Sequence, residues 1–373
     1  MQDTDPTSPA GNAAILADWI RLAEAPGVGC RTAQHLLDHF GSPAAILRSG
    51  QAALAAHVPA GLAAALSGPP SSETAGLLDS TLDWLSKPGH HILTLHDADY
   101  PQALRHIPDP PLLLHIKGRR ELLGQALLAV VGSRNASTQG RANAENFARA
   151  LSEAGLCVVS GMALGIDTAA HEGALQGPGS TIAVIGTGID RVYPARNRAL
   201  AHRIAEEGCI VSEYALGTPP LANNFPRRNR IISGMSAGVL VVEAAAQSGS
   251  LITAQMAAEQ GREVFALPGS IHSALAKGCH QLIREGARLV ETVDEVLEAM
   301  RISPLVRQAA TSVPVQESVL LAALGHDPVE PDALLDRLGG DAALLAGELL
   351  ALELAGALER LPGGRVQRVV RDA

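Results

Sequence analysis

Six short apolar runs lie along the middle of the chain, and each is followed by residues with the spacing of a helix. The runs are mostly apolar on both faces, as expected for strands that are buried on both sides of a sheet. They are Leu127–Val131, Cys157–Ser160, Thr181–Ile185, Cys209–Ser212, 239–242 and Glu263–Ala266. Strands that alternate with helices in this way predict an α/β fold with a parallel sheet covered on both faces.

Different patterns flank this segment. Up to about residue 70 the chain shows three short helical patterns, and SGPPSSE at residues 67–73 indicates a hinge. After residue 313 three helical patterns, the second and third at 331–338 and 341–355, precede a hairpin around Pro362, Gly363 and Gly364, which is typical of a winged helix. The predicted units are a helical domain at 1–75, an α/β domain at 76–300, a linker at 301–313 and a winged-helix domain at 314–373.

Composition narrows the class of protein. The 373 residues include 29 lysines and arginines against 38 aspartates and glutamates, a formal net charge of −9. This excludes a uniformly basic nucleic-acid-binding surface but not a local basic cleft, because binding depends on the field at the site. The four scattered cysteines have no CxxC spacing, and neither a signal peptide nor a membrane span is apparent. We expect a cytoplasmic protein without a metal site or a membrane contact.

Small residues and arginines follow most of the predicted strands. Gly132, Ser133 and Arg134 follow the first strand, Ser160 and Gly161 lie at the end of the second, and SGS at residues 248–250 opens a later helix. In a parallel sheet the ligand binds at the carboxyl ends of the strands. Backbone N–H groups at helix starts and forked arginine side chains both bind anions, so a phosphate-rich ligand is predicted.

Several of these residues also have structural explanations. Glycines permit tight turns between strand and helix, and the arginines after Phe225 are also compatible with a solvated helix start. We interpret Asp167 as a helix cap with His171 packed beside it, and Glu243 as an anchor for a neighbouring group. The chain lacks the dinucleotide-binding G-x-G-x-x-G after its first strand, a P-loop and a G-x-S-x-G elbow, so no nucleotide cofactor and no serine hydrolase are expected.

Both flanking units carry patterns that DNA-binding and protein-binding modules share. Gly27, Val28 and Gly29, between two helical patterns, resemble a helix-hairpin-helix motif, whose backbone N–H groups bind DNA phosphates. The unit has few basic residues, so contact with DNA and contact with protein both remain open. The third helix of the C-terminal unit carries Glu348 and Glu353 and no lysine or arginine, which favours a protein contact.

The middle segment as a whole resembles the DNA-processing protein A (DprA/Smf) family. The matching motifs are GSR at 132–134, SGMALGID at 160–167, AH at 170–171, GTG at 186–188, YP at 193–194, SEY at 212–214, FPRRNRIISG at 225–234, SGSLITA at 248–254 and PG at 268–269. The resemblance implies an extended Rossmann-like parallel sheet. It also implies an N-terminal helical domain of helix-hairpin-helix or SAM-like type and a C-terminal winged helix.

The same resemblance implies a protein without catalytic activity that binds single-stranded DNA, protects it, and loads the RecA recombinase onto it during natural transformation. A homodimer is also implied. Phe225 lies beside arginines and is a candidate platform for base stacking. The expected DNA-binding residues are Gly132, Ser133, Arg134, Ser160, Gly161, Phe225, Arg227, Arg228, Asn229, Arg230, Ser248, Gly249 and Ser250.

A second hypothesis is an enzyme on a related fold, similar to phosphoribohydrolases that cleave purine monophosphates. Those enzymes carry a PGG-x-G-T-x-x-E signature. This chain has only Pro268, Gly269 and Ser270, without the following GT-x-x-E, so the match is partial. In such an enzyme Glu243 would be the candidate catalytic carboxylate.

Overall fold

Six helices open the structure, a computed structural model that describes residues 9–302, 319–361 and 363–369. They are α1 (Pro9–Ala23), α2 (Cys30–Phe40), α3 (Pro43–Arg48), α4 (Gln51–Ala55), α5 (Ala60–Ser67) and α6 (Ser72–Leu85). Three helical patterns were expected before residue 70, but five helices lie between residues 9 and 70. The difference arises because Pro43 and Pro59 mark the starts of short helices that periodicity alone does not separate.

The last of these helices packs against the sheet. The Trp84 ring of α6 stacks on the His90 ring of the first strand, with centroids 4.3 Å apart. The helix begins after its N-cap residue Ser71, whose side chain accepts from the N–H of Thr74. The domain boundary expected at residue 75 therefore lies inside α6.

Nine strands form the main sheet. They are β1 (His90–Thr94), β2 (Leu113–Gly118), β3 (Leu127–Val131), β4 (Cys157–Ser160), β5 (Thr181–Ile185), β6 (Cys209–Ser212), β7 (Gly238–Val241), β8 (Glu263–Ala266) and β9 (Arg288–Leu289), in the order β1-β2-β6-β5-β4-β3-β7-β8-β9. Five of the six predicted strands have the predicted bounds, and β7 both begins and ends one residue earlier than predicted. Strands β1, β2 and β9 were not predicted, and β2 pairs antiparallel with both β1 and β6, so the sheet is mixed.

Helices cover both faces of the sheet. They are α7 (Gln102–Arg105), α8 (Thr138–Glu153), α9 (Ile166–Ala174), α10 (Arg198–Glu207), α11 (Asn224–Met235), α12 (Gly249–Glu259), α13 (Lys277–Arg284) and α14 (Val293–Ala299). Successive side chains of β3 point to opposite faces, so Leu128 and Val130 pack with α8 and α9, whereas Ala129 and Val131 pack with α11 and α12. Along the chain, strands β4, β5 and β6 extend the sheet on one side of β3, whereas β7 and β8 extend it on the other side. In parallel α/β sheets, ligands bind at such a switch in strand order, which here lies between β3 and β7.

The C-terminal unit has the winged-helix pattern. It consists of α15 (Val319–Leu324), α16 (Pro331–Leu338), α17 (Ala342–Leu354) and an antiparallel hairpin of β10 (Leu358–Arg360) and β11 (Val366–Arg368). Leu324, Leu334, Leu349 and Val366 form its separate core. Most of the expected linker at 301–313, and Pro362 of the predicted hairpin, lie outside the described residues. Among the helices that are described, none is long and apolar enough to cross a membrane.

Candidate functional site

A cavity of about 390 Å³ opens at the switch point between β3 and β7. It is bounded by the turn after β3 and by the first turns of α11 and α12. Its lining residues are Val131, Gly132, Ser133, Arg134, Asn135, Ala163, Asp167, Phe225, Pro226, Arg228, Asn229, Ile232, Ala245, Gln247, Ser248, Gly249, Ser250, Ile252 and Thr253. Nine of the thirteen residues expected to bind DNA are in this set.

The turn between β3 and α8 brings one arginine to the mouth of the cavity. A side chain at Gly132 would place its Cβ 2.6 Å from Cγ1 of Ile166 and 2.8 Å from the carbonyl oxygen of Glu243, so the turn requires glycine. The N–H of Ser133 donates to the same Glu243 oxygen at 2.7 Å. Arg134, the next residue, is exposed, and its Cζ lies 6.0 Å from the centroid of the Phe225 ring. This is a cation–π distance.

The first turns of α11 supply the opposite wall. Arg228 and Asn229 follow Phe225 by three and four residues, and Ile232 follows Arg228 by four, so all of them lie on one side of the helix, which borders the cavity. Arg228 is only 4% exposed, and its Nη1 donates to the carbonyl oxygen of Val184. Its Nε has no hydrogen-bond partner among the described residues. Burial lowers the pKa of Arg228 to about 10, so the guanidinium is charged at neutral pH.

Asp167 is the acidic group of the cavity. Its Oδ2 accepts hydrogen bonds from the N–H groups of Gly161 at 3.1 Å and Ala163 at 3.2 Å. Burial raises the pKa of the carboxyl group, and the Arg228 charge opposes that rise. Helix α9 has Gly165 at its N-cap position, so the interpretation of Asp167 as the cap was wrong. Asp167 lies in the first turn of the helix, and its carboxylate accepts hydrogen bonds from the loop that precedes the helix.

His171 and Glu243 are both used in structural hydrogen bonds. Nε2 of His171 accepts from the N–H of Met162 at 3.3 Å, and its Nδ1 lies 2.7 Å from Oγ1 of Thr181. The Glu243 carboxylate accepts from the N–H of Ser137 at 2.9 Å and from its Oγ at 2.6 Å. Glu243 therefore anchors the start of α8, as predicted, and it does not line the cavity.

The start of α12 forms the third wall. Ser248 is the N-cap residue, and its Oγ lies 2.7 Å from Oγ of Ser250. Ser248, Gly249 and Ser250 all border the cavity, so the positive end of the helix dipole is next to it. The charged lining residues are Arg134, Arg228 and Asp167, so the side chains that line the cavity carry a net positive charge.

Four expected site residues lie outside the cavity wall. The Oγ of Ser160 is buried and donates to the carbonyl oxygen of Val130 at 2.7 Å. Gly161 leaves room for the Arg228 guanidinium, since a Cβ there would lie 2.7 Å from its Cζ. Arg230 is buried against Glu213, and Arg227 is exposed with its Nη2 3.8 Å from the same carboxylate. Neighbouring residues on one helix thus point in different directions.

Sequence reasoning missed several lining residues. The polar ones are Asn135, Asp167, Gln247 and Thr253. Asn135 and Gln247 lie directly beside predicted motifs, so their position after β3 and before α12 was the available signal. In the part of the chain that the structure describes, no group of three or more histidine, cysteine or acidic residues is arranged to hold a metal ion.

Two family models match the sequence. The model described as DNA recombination-mediator protein A matches residues 91–301, and the one described as DprA winged helix domain matches residues 294–364. Protein Smf of Escherichia coli is 43% identical over an alignment of 301 residues, which covers 78% of this chain and 80% of that protein. DNA processing protein DprA of Streptococcus pneumoniae is 52% identical over 201 residues, 54% of this chain and 71% of that protein.

Solved structures agree with this grouping. The X-ray structure of the Streptococcus pneumoniae DNA processing protein A superposes with a TM-score of 0.61 at 39% identity, covering 77% of this chain and 97% of that one. DNA processing protein A from Helicobacter pylori, for which a single-stranded DNA binding mode is described, gives a TM-score of 0.52 at 29% identity. That match covers 57% of this chain and 96% of the other.

Proposed function

Because this chain belongs to the DNA recombination-mediator protein A family, we propose that it binds single-stranded DNA in the cavity between β3 and β7. The observation that carries the proposal is the pair of arginines in the cavity wall. Arg228 is buried with an unpartnered Nε, and Arg134 is exposed beside Phe225. A buried guanidinium with a free donor is costly unless an anion binds it, and a DNA phosphate supplies that anion.

The cavity suits a single strand better than a duplex. Phe225 is half-buried at its edge and offers a ring against which an unstacked base can pack. In a duplex the bases are stacked on one another and cannot use such a ring. Because the net charge of the chain is −9, most of the surface repels a polyanion such as DNA. The arginines of the cavity therefore restrict DNA binding to this site.

We assign the direct contacts to nine cavity residues. They are Gly132, Ser133, Arg134, Phe225, Arg228, Asn229, Ser248, Gly249 and Ser250. In this proposal Ser160, Gly161 and Arg230 hold the wall in place, and Arg227 lies beside the cavity without lining it.

The protein is proposed to act by binding and not by catalysis. The groups that could transfer a proton near the cavity are Asp167, His171 and Glu243, and each of them makes hydrogen bonds within the fold. Glu243 is also outside the cavity wall, which weighs against the phosphoribohydrolase alternative. Cleavage of a purine monophosphate that Glu243→Gln abolishes would support that alternative.

We further propose that the protein is a cytoplasmic homodimer that loads the RecA recombinase onto the bound strand. The third helix of the winged unit, α17, exposes Leu344, Leu350 and Leu354, which favours a protein contact there. Two measurements test these points. Sedimentation should give twice the 38.6 kDa chain mass, and recombinase filaments should form faster on oligo-dT when this protein is present.

Fluorescence anisotropy with labelled oligo-dT and with a matched duplex tests the DNA proposal. Oligo-dT should bind more tightly, with an affinity that falls steeply as salt increases. Arg134→Ala and Arg228→Ala should each weaken binding by about tenfold or more, as expected for a lost charged hydrogen bond. Arg203→Ala is the matched control, since Arg203 is exposed and paired with Glu207 at 3.7 Å. Unchanged affinity in both cavity variants would overturn the site assignment.

A further inference from the structure

All three histidines of the N-terminal helical domain lie in one cluster. The sequence up to residue 75 contains His35, His39 and His57 and no other histidine. The ring centroids of His39 and His57 are 3.9 Å apart, and those of His35 and His57 are 5.6 Å apart. None of the three lines the cavity that is proposed to bind DNA, so the proposed function gives this cluster no role.

The backbone brings two elements together at the histidine cluster. His35 and His39 are four residues apart in α2, so both project from one side of that helix. His57 lies in the turn between α4 and α5. The N–H groups of His57 and Val58 both donate to the carbonyl oxygen of Leu54, at 2.9 and 3.0 Å. These bonds fix the turn and hold His57 next to the two histidines of α2.

The imidazole nitrogens of the cluster are available to a ligand. None of the three side chains makes a hydrogen bond or an ion pair with any residue in the described ranges. His35 and His39 are exposed, and His57 is half-buried. Burial, and then the neighbouring His39 and His35, lower the pKa of His57, so its ring is neutral at pH 7. The neutral imidazole is the form that binds a metal ion.

The spacing of the histidines suits a divalent transition metal. Two histidines four residues apart on a helix bind zinc in the H-E-x-x-H motif, and HLLDH at 35–39 has the same spacing without the glutamate. Zinc–nitrogen bonds are about 2.0–2.1 Å long, so two imidazoles on one tetrahedral ion have ring centroids about 5 Å apart. The two centroid distances in the cluster lie on either side of this value.

The rings must turn before they can share an ion. The planes of the His39 and His57 rings are tilted by 39°, and over the described ranges no three such side chains already converge on a metal position. Exposed side chains change rotamer within nanoseconds, so this adjustment is fast. The Phe40 ring packs against both, with centroids 4.8 Å from His39 and 5.4 Å from His57, and limits the access of water on that side.

We propose that His35, His39 and His57 bind one zinc ion, with water in the fourth position. Three protein ligands and a water form a tetrahedral site that zinc adopts, and imidazole is a preferred ligand of zinc, copper and nickel. The ion joins α2 to the turn between α4 and α5, and it stabilises the N-terminal domain because it binds the folded form. The cysteine spacing gave no sign of this site, since none of its ligands is a cysteine.

Calorimetric titration of the full chain with Zn²⁺ tests the proposal. Wild type should take up one tightly bound ion per chain. His35→Gln, His39→Gln and His57→Gln should each weaken binding by about tenfold or more, because the loss of a group that merely supports a ligand already costs about 10- to 100-fold. His106→Gln is the matched control, since His106 is exposed and its Nδ1 lies 2.7 Å from the carbonyl oxygen of Gln102. It should bind zinc as wild type does.

Two further measurements do not depend on calorimetry. Imidazole nitrogen chemical shifts of wild type should change on zinc addition for three of the thirteen histidines. Zinc should raise the melting temperature of wild type and of the control, but not of the three cluster variants, and melting in EDTA checks that every variant folds.

Wild-type zinc affinity in all three cluster variants, or changed nitrogen shifts at other histidines only, would overturn the site. If His57→Gln alone binds zinc as wild type does, the ion is held by α2 and the three-ligand site is wrong. The proposal is independent of the proposed function, because the cluster variants should bind oligo-dT as wild type does. Failure of zinc binding therefore leaves the cavity proposal standing.

Discussion

Nη2 of Arg230 donates to Oε1 of Glu213, and both side chains are buried. Nε of the same arginine lies 3.2 Å from Oδ2 of Asp109. Arg230 therefore joins α11 to the residue that follows β6 and to the segment before β2. Although it belongs to the same FPRRNR motif as Arg228, it stabilises the fold on the side away from the cavity.

Arg230→Ala should lower the free energy of unfolding by about 3 to 5 kcal/mol, because it leaves the buried Glu213 carboxylate without its main partner. Urea denaturation measures the loss. Arg227→Ala is the control: its side chain is 54% exposed and lies 3.8 Å from the same carboxylate, so the loss should be under about 1 kcal/mol. An Arg230→Ala protein as stable as wild type but unable to bind oligo-dT would show that Arg230 contacts DNA directly.

The central strands could be predicted because burial on both faces leaves a continuous apolar run. Strand β2 could not be found in this way, since LLHIKG contains His115 and Lys117 and ends at a positive-φ glycine. Strand β9 has only two residues and both are exposed, so it has no periodicity to detect. The mixed character of the sheet depends on these edge strands.

The candidate site was predictable at the level of motifs but not of side chains. The rule that ligands bind after parallel strands located the turn at Gly132 and the start of α12. On α11, however, three arginines within four positions have three environments: one lines the cavity, one is exposed beside it, and one is buried in an ion network. Each arginine has a different angular position around the helix axis and therefore faces a different part of the protein. Which part it faces depends on tertiary packing, which the motif alone does not specify.

Gly161→Ala should weaken binding of oligo-dT by about tenfold, comparable to Arg228→Ala. The added methyl would lie 2.7 Å from Cζ of Arg228 and closer still to its nitrogens, so the guanidinium must leave its position in the cavity wall. Gly76→Ala is the control, because nothing lies within 4 Å of that Cβ and the position is inside α6. It should raise stability by about 0.5 to 1 kcal/mol without affecting DNA. Full affinity in Gly161→Ala would contradict the role given to Arg228.

Two buried histidines should make stability fall in mild acid. Burial lowers the pKa of His115 to about 4 and that of His171 to about 3, against an ordinary value of about 6.5. Below about pH 6.5 the unfolded chain takes up protons that the folded chain excludes, so the free energy of unfolding decreases as the pH falls towards these values. The slope expected for each imidazole is about 1.4 kcal/mol per pH unit.

The variant His171→Gln isolates one of these groups. Glutamine can donate and accept a hydrogen bond but does not titrate, so the loss of stability between pH 6 and pH 5 should be smaller by about 1 kcal/mol than in wild type. Carboxyl groups whose pKa is raised in the folded state, such as those of Asp167 and Glu243, make stability rise as the pH falls. This contribution is the same in both proteins, so it cancels when their pH dependences are compared. Identical pH dependence in the two proteins would show that folding does not lower the pKa of His171.

A chain that ends at residue 302 should bind oligo-dT with an affinity within about threefold of the full chain, a difference below 1 kcal/mol. Every residue that lines the cavity lies between Val131 and Thr253. In the full chain the winged unit touches this region through Glu359, whose Oε2 accepts from the N–H of Thr138 at 3.0 Å. Truncation removes that carboxylate from the start of α8, and with it a negative charge near the proposed DNA-binding cavity. Complete loss of binding would instead identify the winged unit as a primary DNA site, and anisotropy titration of both chains decides between these outcomes.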